Sequence, residues 1–229
     1  MSYLFQFPIK MPRGSHYGSD YWIVYSYKLN RMVHLYSMLE YANFITLEMN
    51  PTVEYFCEQP LKIEAVDSSF GKKFSVFDFW VQYFNSTQEF QEVKYTSELF
   101  DNNEAAIRSQ KQISFQRDWC NKNNYNYKVV TEKDLYTGQF TLQNLDILHS
   151  YLLRFSNSNH MDFSVLEKIL LKGPLSIKEI ITTNKLPNNH EISVLAYYFY
   201  LGKISININD RPLDKYSEVK LCETKSLIY

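Results

Sequence analysis

Two carboxylates and an amine carry the clearest chemical signal in the chain: Asp78 within KFSVFDFWVQYFNSTQEFQEVK, residues 73–94, and Glu92 and Lys94 near the end of that stretch. The segment reads as two strands with a polar turn at Asn85-Ser86-Thr87. Side chains alternate along a strand, so Glu92 and Lys94 share a face and Val93 takes the other. The fold-back brings Asp78 toward Glu92. Carboxylates are hard oxygen ligands for Mg²⁺, which is bound through one or two of them together with substrate phosphate. Such an ion offsets phosphate charge and lowers the pKa of an attacking water. An ammonium beside it stabilises developing anionic charge. The chemistry indicated is metal-assisted cleavage of a phosphodiester. Charges at this spacing also occur on ordinary hairpins, so the surrounding elements have to decide between the two.

Those elements alternate between helical and extended patterns. Residues 1–30 read as an aromatic arm with short strands, and Lys10, Arg13, Lys28 and the adjoining Arg31 give this region basic charge for phosphate contacts or solvent. From Met32 to Met49, Leu35, Leu39, Ala42 and Ile45 form a helical stripe bordered by Glu40, with Ser37 as a cap. Strands follow from Thr52 to Val66, interrupted at Gln59-Pro60. After the central hairpin, a helix is expected from about Asp101 to Asn121, with Arg108, Lys111 and Arg117 on a basic face. Tyr125–Thr131 is the next strand, and a helix between two strands predicts that the last runs parallel to its neighbour. The pattern is α/β: a mixed, mostly antiparallel sheet flanked by helices.

A further helix spans Phe140–Phe155, and the polar run Ser156–His160 reads as a linker, dividing the chain into residues 1–157 and 158–229. Beyond it come helices at Asp162–Lys172, Leu175–Thr183 and Asn189–Leu201, then the strand KISINI and the turn NDRPLD. Three helices and a hairpin are the order of a winged-helix module. A DNA-reading third helix carries polar or basic side chains. This one, HEISVLAYYFYLGK, is apolar and aromatic, which favours packing or protein contact.

The composition suits folded domains, with 45% hydrophobic and 17% aromatic residues over 229 positions. A net charge of -1 is low for a protein that grips nucleic acid unaided and points to partners. Cys57, Cys120 and Cys222 are scattered and lack metal-ligand spacing, as in a reducing compartment. No apolar run has the length of a membrane span, so a soluble cytoplasmic protein with no membrane partner is expected.

Glu40, Gln59-Pro60, Asp78-Phe79 and Glu92-Val93-Lys94, in this order, resemble the restriction-endonuclease-like nucleases with their PD…(D/E)xK core. More narrowly, SMLEYANFITLEMNPTVEYFCEQP, QEVKYT and RDWCNKNNYNYKVVTE are similar to the TnsA family, endonuclease subunits of heteromeric cut-and-paste transposases. The resemblance covers about Lys28 to Leu213 and implies a restriction-endonuclease-like domain followed by a winged helix. It implies Glu40, Asp78 and Glu92 as an acidic set binding Mg²⁺, with Mn²⁺ as the alternative ion, and Lys94 as the catalytic lysine. Phe77 stands where the family's pattern has proline. The implied activity is nicking of double-stranded DNA at the 5′ side of transposon ends. The implied partners are a TnsB-type transposase and, through the C-terminal module, a TnsC-type ATPase regulator. Two rivals share the fold: a repair or junction nuclease acting alone, and a decayed nuclease serving as a DNA-binding scaffold.

Overall fold

The structure, a computed structural model, describes residues 3–10, 20–67, 71–155, 163–184 and 191–222. The chain divides into two compact units, Met1–Leu47 with Val53–Leu135, and Glu48–Thr52 with Tyr136–Tyr229.

The first unit opens with an antiparallel hairpin, β1 (Trp22–Ser26) and β2 (Arg31–Leu35). Helix α1 (Met38–Met49) therefore starts later than the apolar spacing from Met32 predicts. Arg31–Leu35 is spent on pairing, and the helix begins where the Ser37 hydroxyl accepts the Glu40 backbone N–H at 3.1 Å. Lys28 and Arg31 are also committed internally. Lys28 Nζ donates to the Val53 carbonyl at 2.6 Å, and Arg31 makes two bonds, of 2.6 and 2.7 Å, to the buried carboxylate of Glu58.

Four strands make the main sheet, in the order β3 (Val53–Glu58), β6 (Phe79–Tyr83), β7 (Gln88–Val93), β8 (Asn126–Val130). The first two pairings are antiparallel and β7 with β8 is parallel, as a helical connection between them requires. That connection is α2 (Thr96–Phe100), which the sequence pattern did not reveal, and α3 (Glu104–Lys122), capped by Asn103. A short α4 (Glu132–Leu135) follows. The hairpin β4 (Lys62–Asp67) and β5 (Gly71–Val76) leaves and re-enters between β3 and β6.

The two central strands are buried on both faces, so period-two alternation disappears: Phe79, Trp80 and Val81 are all fully buried, as are Phe90 and Glu92. Helix α1 covers one face, where Phe44 packs on Phe56, Phe56 on Phe79, and the Asn43 amide bonds Gln91 at 2.9 Å. Helix α3 covers the other, with Trp119 against Phe77 and Phe90. The fold is mixed α/β with a mixed sheet flanked by helices, consistent with the restriction-endonuclease-like architecture.

The second unit holds α5 (Thr141–Leu152), α6 (Phe163–Leu170), β9 (Leu175–Ser176), α7 (Ile177–Asn184), α8 (Glu191–Tyr200), β10 (Ile204–Ile206) and β11 (Glu218–Leu221). The strands form an antiparallel sheet in the order β10-β11-β9. Leu175-Ser176, expected inside a helix, is a short strand, and Ser176 caps α7 through a 3.2 Å bond from the Glu179 N–H. The contacts divide the chain before α5, whereas composition placed the boundary at 157/158, because α5 packs on α8 within the C-terminal unit. The expected linker Ser156–His160 lies outside the described residues.

Phe77 fills the centre of the α3-facing core, with its ring 4.3 Å from Phe90, 5.7 Å from Trp119 and 6.2 Å from Tyr127. A bulky ring here anchors the chain where it passes from β5 to β6. Phe77→Ala should therefore destabilise the protein by about 3–5 kcal/mol in urea unfolding; a loss below about 1 kcal/mol would mean that the ring is not an anchor.

Candidate active site

The strand pairing leaves a deliberate break. β5 ends at Val76 and β6 begins at Phe79, so Asp78 lies in the gap between them. At its own end, β7 runs past the last β6 partner, since Phe79 pairs with Gln91. The Asp78 carboxylate takes over the vacant position: Oδ2 accepts the Val93 N–H at 2.7 Å. A charged acceptor makes this a strong bond that fixes the side chain against the end of β7. The Asp78 carbonyl is held as well, by the Gln59 N–H at 2.8 Å.

Gln59 adopts φ 37°, the left-handed region that a non-glycine residue occupies only under constraint. Its surroundings supply that constraint. The carbonyl accepts from Ile9 N–H at 2.9 Å, and the buried side-chain amide lies 3.4 Å from Glu40 Oε2. One residue thus touches both Asp78 and Glu40. The Glu40 carboxylate also accepts the Tyr36 N–H at 3.1 Å and the Ser37 hydroxyl at 3.3 Å.

Glu92 is fully buried on the α3-facing side of β7. Its Oε1 meets Lys94 Nζ at 2.9 Å and the Gln112 amide at 2.7 Å, and its Oε2 accepts from the Gln116 amide at 2.7 Å. Lys94 continues the line of β7, with its N–H bonded to the Val130 carbonyl at 3.0 Å and 17% of its side chain exposed. Glu92 and Lys94 therefore share a face, as strand alternation predicts.

Electrostatics tie the four groups together. Burial, then the charge of Asp78, pushes the Glu40 carboxyl up to about 8, against bonds from Tyr36 and Ser37 and the charge of Lys94. The same two causes, in the same order, raise Glu92 to about 8, against Lys94 and Gln116. Burial alone would lower the Lys94 pKa, but Glu92 and then Asp78 overturn this and hold it firmly charged. Asp78 and Lys94 are thus the neighbours common to Glu40, which sits on the helix covering one face, and Glu92, which lies under the helix covering the other.

Among the described residues, no group of three or more His, Cys, Asp and Glu side chains is gathered as a ready metal-ligand set. The site is better described as two carboxylates, Asp78 and Glu92, with Glu40 approaching Asp78 from the α1 side. Mg²⁺ needs no more than one or two protein carboxylates. The donor chemistry fits a divalent cation, because burial and the charge of Asp78 raise the Glu40 and Glu92 carboxyls, so that these two hold protons that a doubly charged ion would displace.

Gln112 and Gln116 were not foreseen. A signal for Gln116 exists: it falls in register with Ala106, Ser109, Ile113 and Cys120 along the buried stripe of α3. The expected basic face of that helix, Arg108, Lys111 and Arg117, is exposed.

The family model described as TnsA-like endonuclease N terminal matches residues 50–132, a span that contains Asp78, Glu92 and Lys94. The match supports a TnsA-type endonuclease domain over these residues. Glu40, on α1, lies before the matched span. No curated protein matches the chain.

The raised carboxyls fix the sign of a pH effect. Their ordinary value is 4.5 and their folded value about 8, so the stability they permit is complete below about pH 4.5 and is lost as pH rises through 8. The thermal midpoint of metal-free protein should fall as pH rises between these limits in scanning calorimetry at fixed ionic strength. A midpoint that stays level or climbs across that window would contradict the burial and charge assigned to the pair.

Proposed function

Taking the TnsA-type endonuclease domain at residues 50–132 as the premise, we propose that the protein is the DNA-cutting subunit of a heteromeric transposase, nicking the 5′ side of each transposon end in a Mg²⁺-dependent reaction. The observation that carries this reading is the convergence of Asp78 and Glu92 on Lys94 within the matched span.

Asp78 and Glu92 would hold the ion, with Glu40 as a further acidic contact and Mn²⁺ as the alternative metal. When bound, the ion supplies Lewis acidity and offsets phosphate charge. The chain's own groups do the rest. The Val93 N–H orients Asp78, and Gln59 sets both Asp78 and Glu40. Lys94 keeps its proton under the influence of Glu92 and Asp78, and so presents an ammonium to charge developing on the scissile phosphate. Its partial exposure leaves it within reach of DNA while Glu92 stays dry beneath it.

We assign cutting and joining of the 3′ strand to a TnsB-type transposase and place the reaction in the cytoplasm, in keeping with the free thiols of Cys57, Cys120 and Cys222. The second unit is read as a winged helix that recruits a TnsC-type ATPase regulator. Its strand order supports this, and so does α8, where Ser193, Val194, Leu195, Ala196 and Tyr198 are buried. A helix packed this fully has few side chains to offer a DNA major groove.

The test is strand-specific nicking of end-labelled transposon-end DNA by the full chain with its transposase and ATPase partners. Asp78→Ala should abolish cutting of the 5′ strand, and Lys94→Ala should slow it by about 10²–10³-fold, as loss of a single charge-stabilising donor does. Cutting at the wild-type rate by Asp78→Ala, or wild-type cutting in the presence of a chelator, would refute the proposal.

A further inference from the structure

The α3 glutamines are as closely tied to Glu92 as the lysine is, and Gln116 is the more constrained of the two. It is fully buried, and its amide nitrogen lies 2.7 Å from Glu92 Oε2, 3.1 Å from the Val76 carbonyl and 3.0 Å from Ser75 Oγ. The Val76 carbonyl can only accept, so the nitrogen side of the amide must face it, and a flipped amide would set oxygen against oxygen. The amide oxygen then faces the Tyr127 hydroxyl at 2.7 Å, which must donate. A directional chain results, running from Tyr127 through Gln116 to Glu92. It also ties Glu92 to the last residues of β5, immediately before the Phe77-Asp78 break.

Gln112, one turn earlier on α3 and half-buried, bonds the other Glu92 oxygen at 2.7 Å beside Lys94. Both oxygens of Glu92 are therefore fixed by α3 donors, on opposite edges of the carboxylate. A side chain on a strand alone would keep its terminal torsion, which is broad for a glutamate. With an amide on each edge the plane of the carboxylate is set.

We propose that Gln116 and Gln112 are positioning residues that act through Glu92, fixing its carboxylate for the divalent cation and, through Glu92, the ammonium of Lys94. This rests on the nuclease reading given above and adds to it the residues that prepare the site. Groups that orient a metal ligand typically contribute about 10–100-fold in metal affinity or activity.

The test titrates Mn²⁺ into the full chain by calorimetry, without DNA or partners, and compares wild type with Gln116→Leu and Gln112→Ala. Thermal melts establish that each variant is folded. The expected result is Mn²⁺ affinity lowered about 10–100-fold in folded Gln116→Leu and a smaller loss in Gln112→Ala, with nicking by the assembled system restored in both at high Mn²⁺. A purely structural glutamine would lower the melting temperature and leave the affinity of the folded protein unchanged, which would overturn the proposal. Should Gln116→Leu fail to fold, Gln112→Ala decides, because it removes a half-buried side chain. Wild-type protein that neither binds Mn²⁺ nor nicks would instead sink the nuclease reading. Wild-type binding and nicking with unchanged variants would sink this inference alone.

Discussion

Moving a carboxylate into a protein interior costs several kcal/mol unless charge and hydrogen bonds replace the water it loses. Glu92 sits at that extreme, with no exposed side-chain surface and the negative charge of Asp78 nearby. Lys94 offsets part of the cost and the two glutamines of α3 another part. The raised pKa shows that the compensation is incomplete. A buried, only partly compensated acidic centre is poor material for stability and suited to binding a cation. The other features of the first unit follow from keeping it in place.

The chain is interrupted where an unbroken strand would have been more regular. The gap at Phe77-Asp78 lets a side chain do what a backbone carbonyl would otherwise do at Val93. Gln59 holds a left-handed conformation so that its backbone and side chain can serve Asp78 and Glu40 together. Strain of this kind survives when the surroundings over-determine it. Here they do, through the aromatic packing of Phe77, Phe90, Trp119 and Tyr125 on one face and of Phe44, Phe56 and Phe79 on the other.

Legibility in the sequence tracked how local each feature is. The hairpin turn at Asn85–Thr87, the shared face of Glu92 and Lys94, and the parallel β8 after a helix depend on alternation and connection length, and all were readable. The start of α1 was misplaced, because Arg31–Leu35 carries an apolar spacing compatible with a helix and only pairing with β1 makes it a strand. Lys28 and Arg31 resembled surface charges, since nothing local reveals that a carbonyl and a buried glutamate await them. The glutamines were missed for a related reason. A helix stripe is read from apolar residues, whereas Ser109 and Gln116 occupy buried positions because polar partners meet them there, Glu98 of α2 and Glu92 of the sheet. In the second unit the helices were visible from their apolar periodicity, but the two-residue strand β9 was not, because only its pairing with β11 defines it.

The claim on which everything else depends is that these carboxylates are held in readiness for a divalent ion. The most direct measurement is an anomalous difference map from crystals of the full chain soaked in Mn²⁺. A peak within coordination distance of both Asp78 and Glu92 is the predicted result. A map with no peak there, from crystals in which both side chains are ordered, would contradict it.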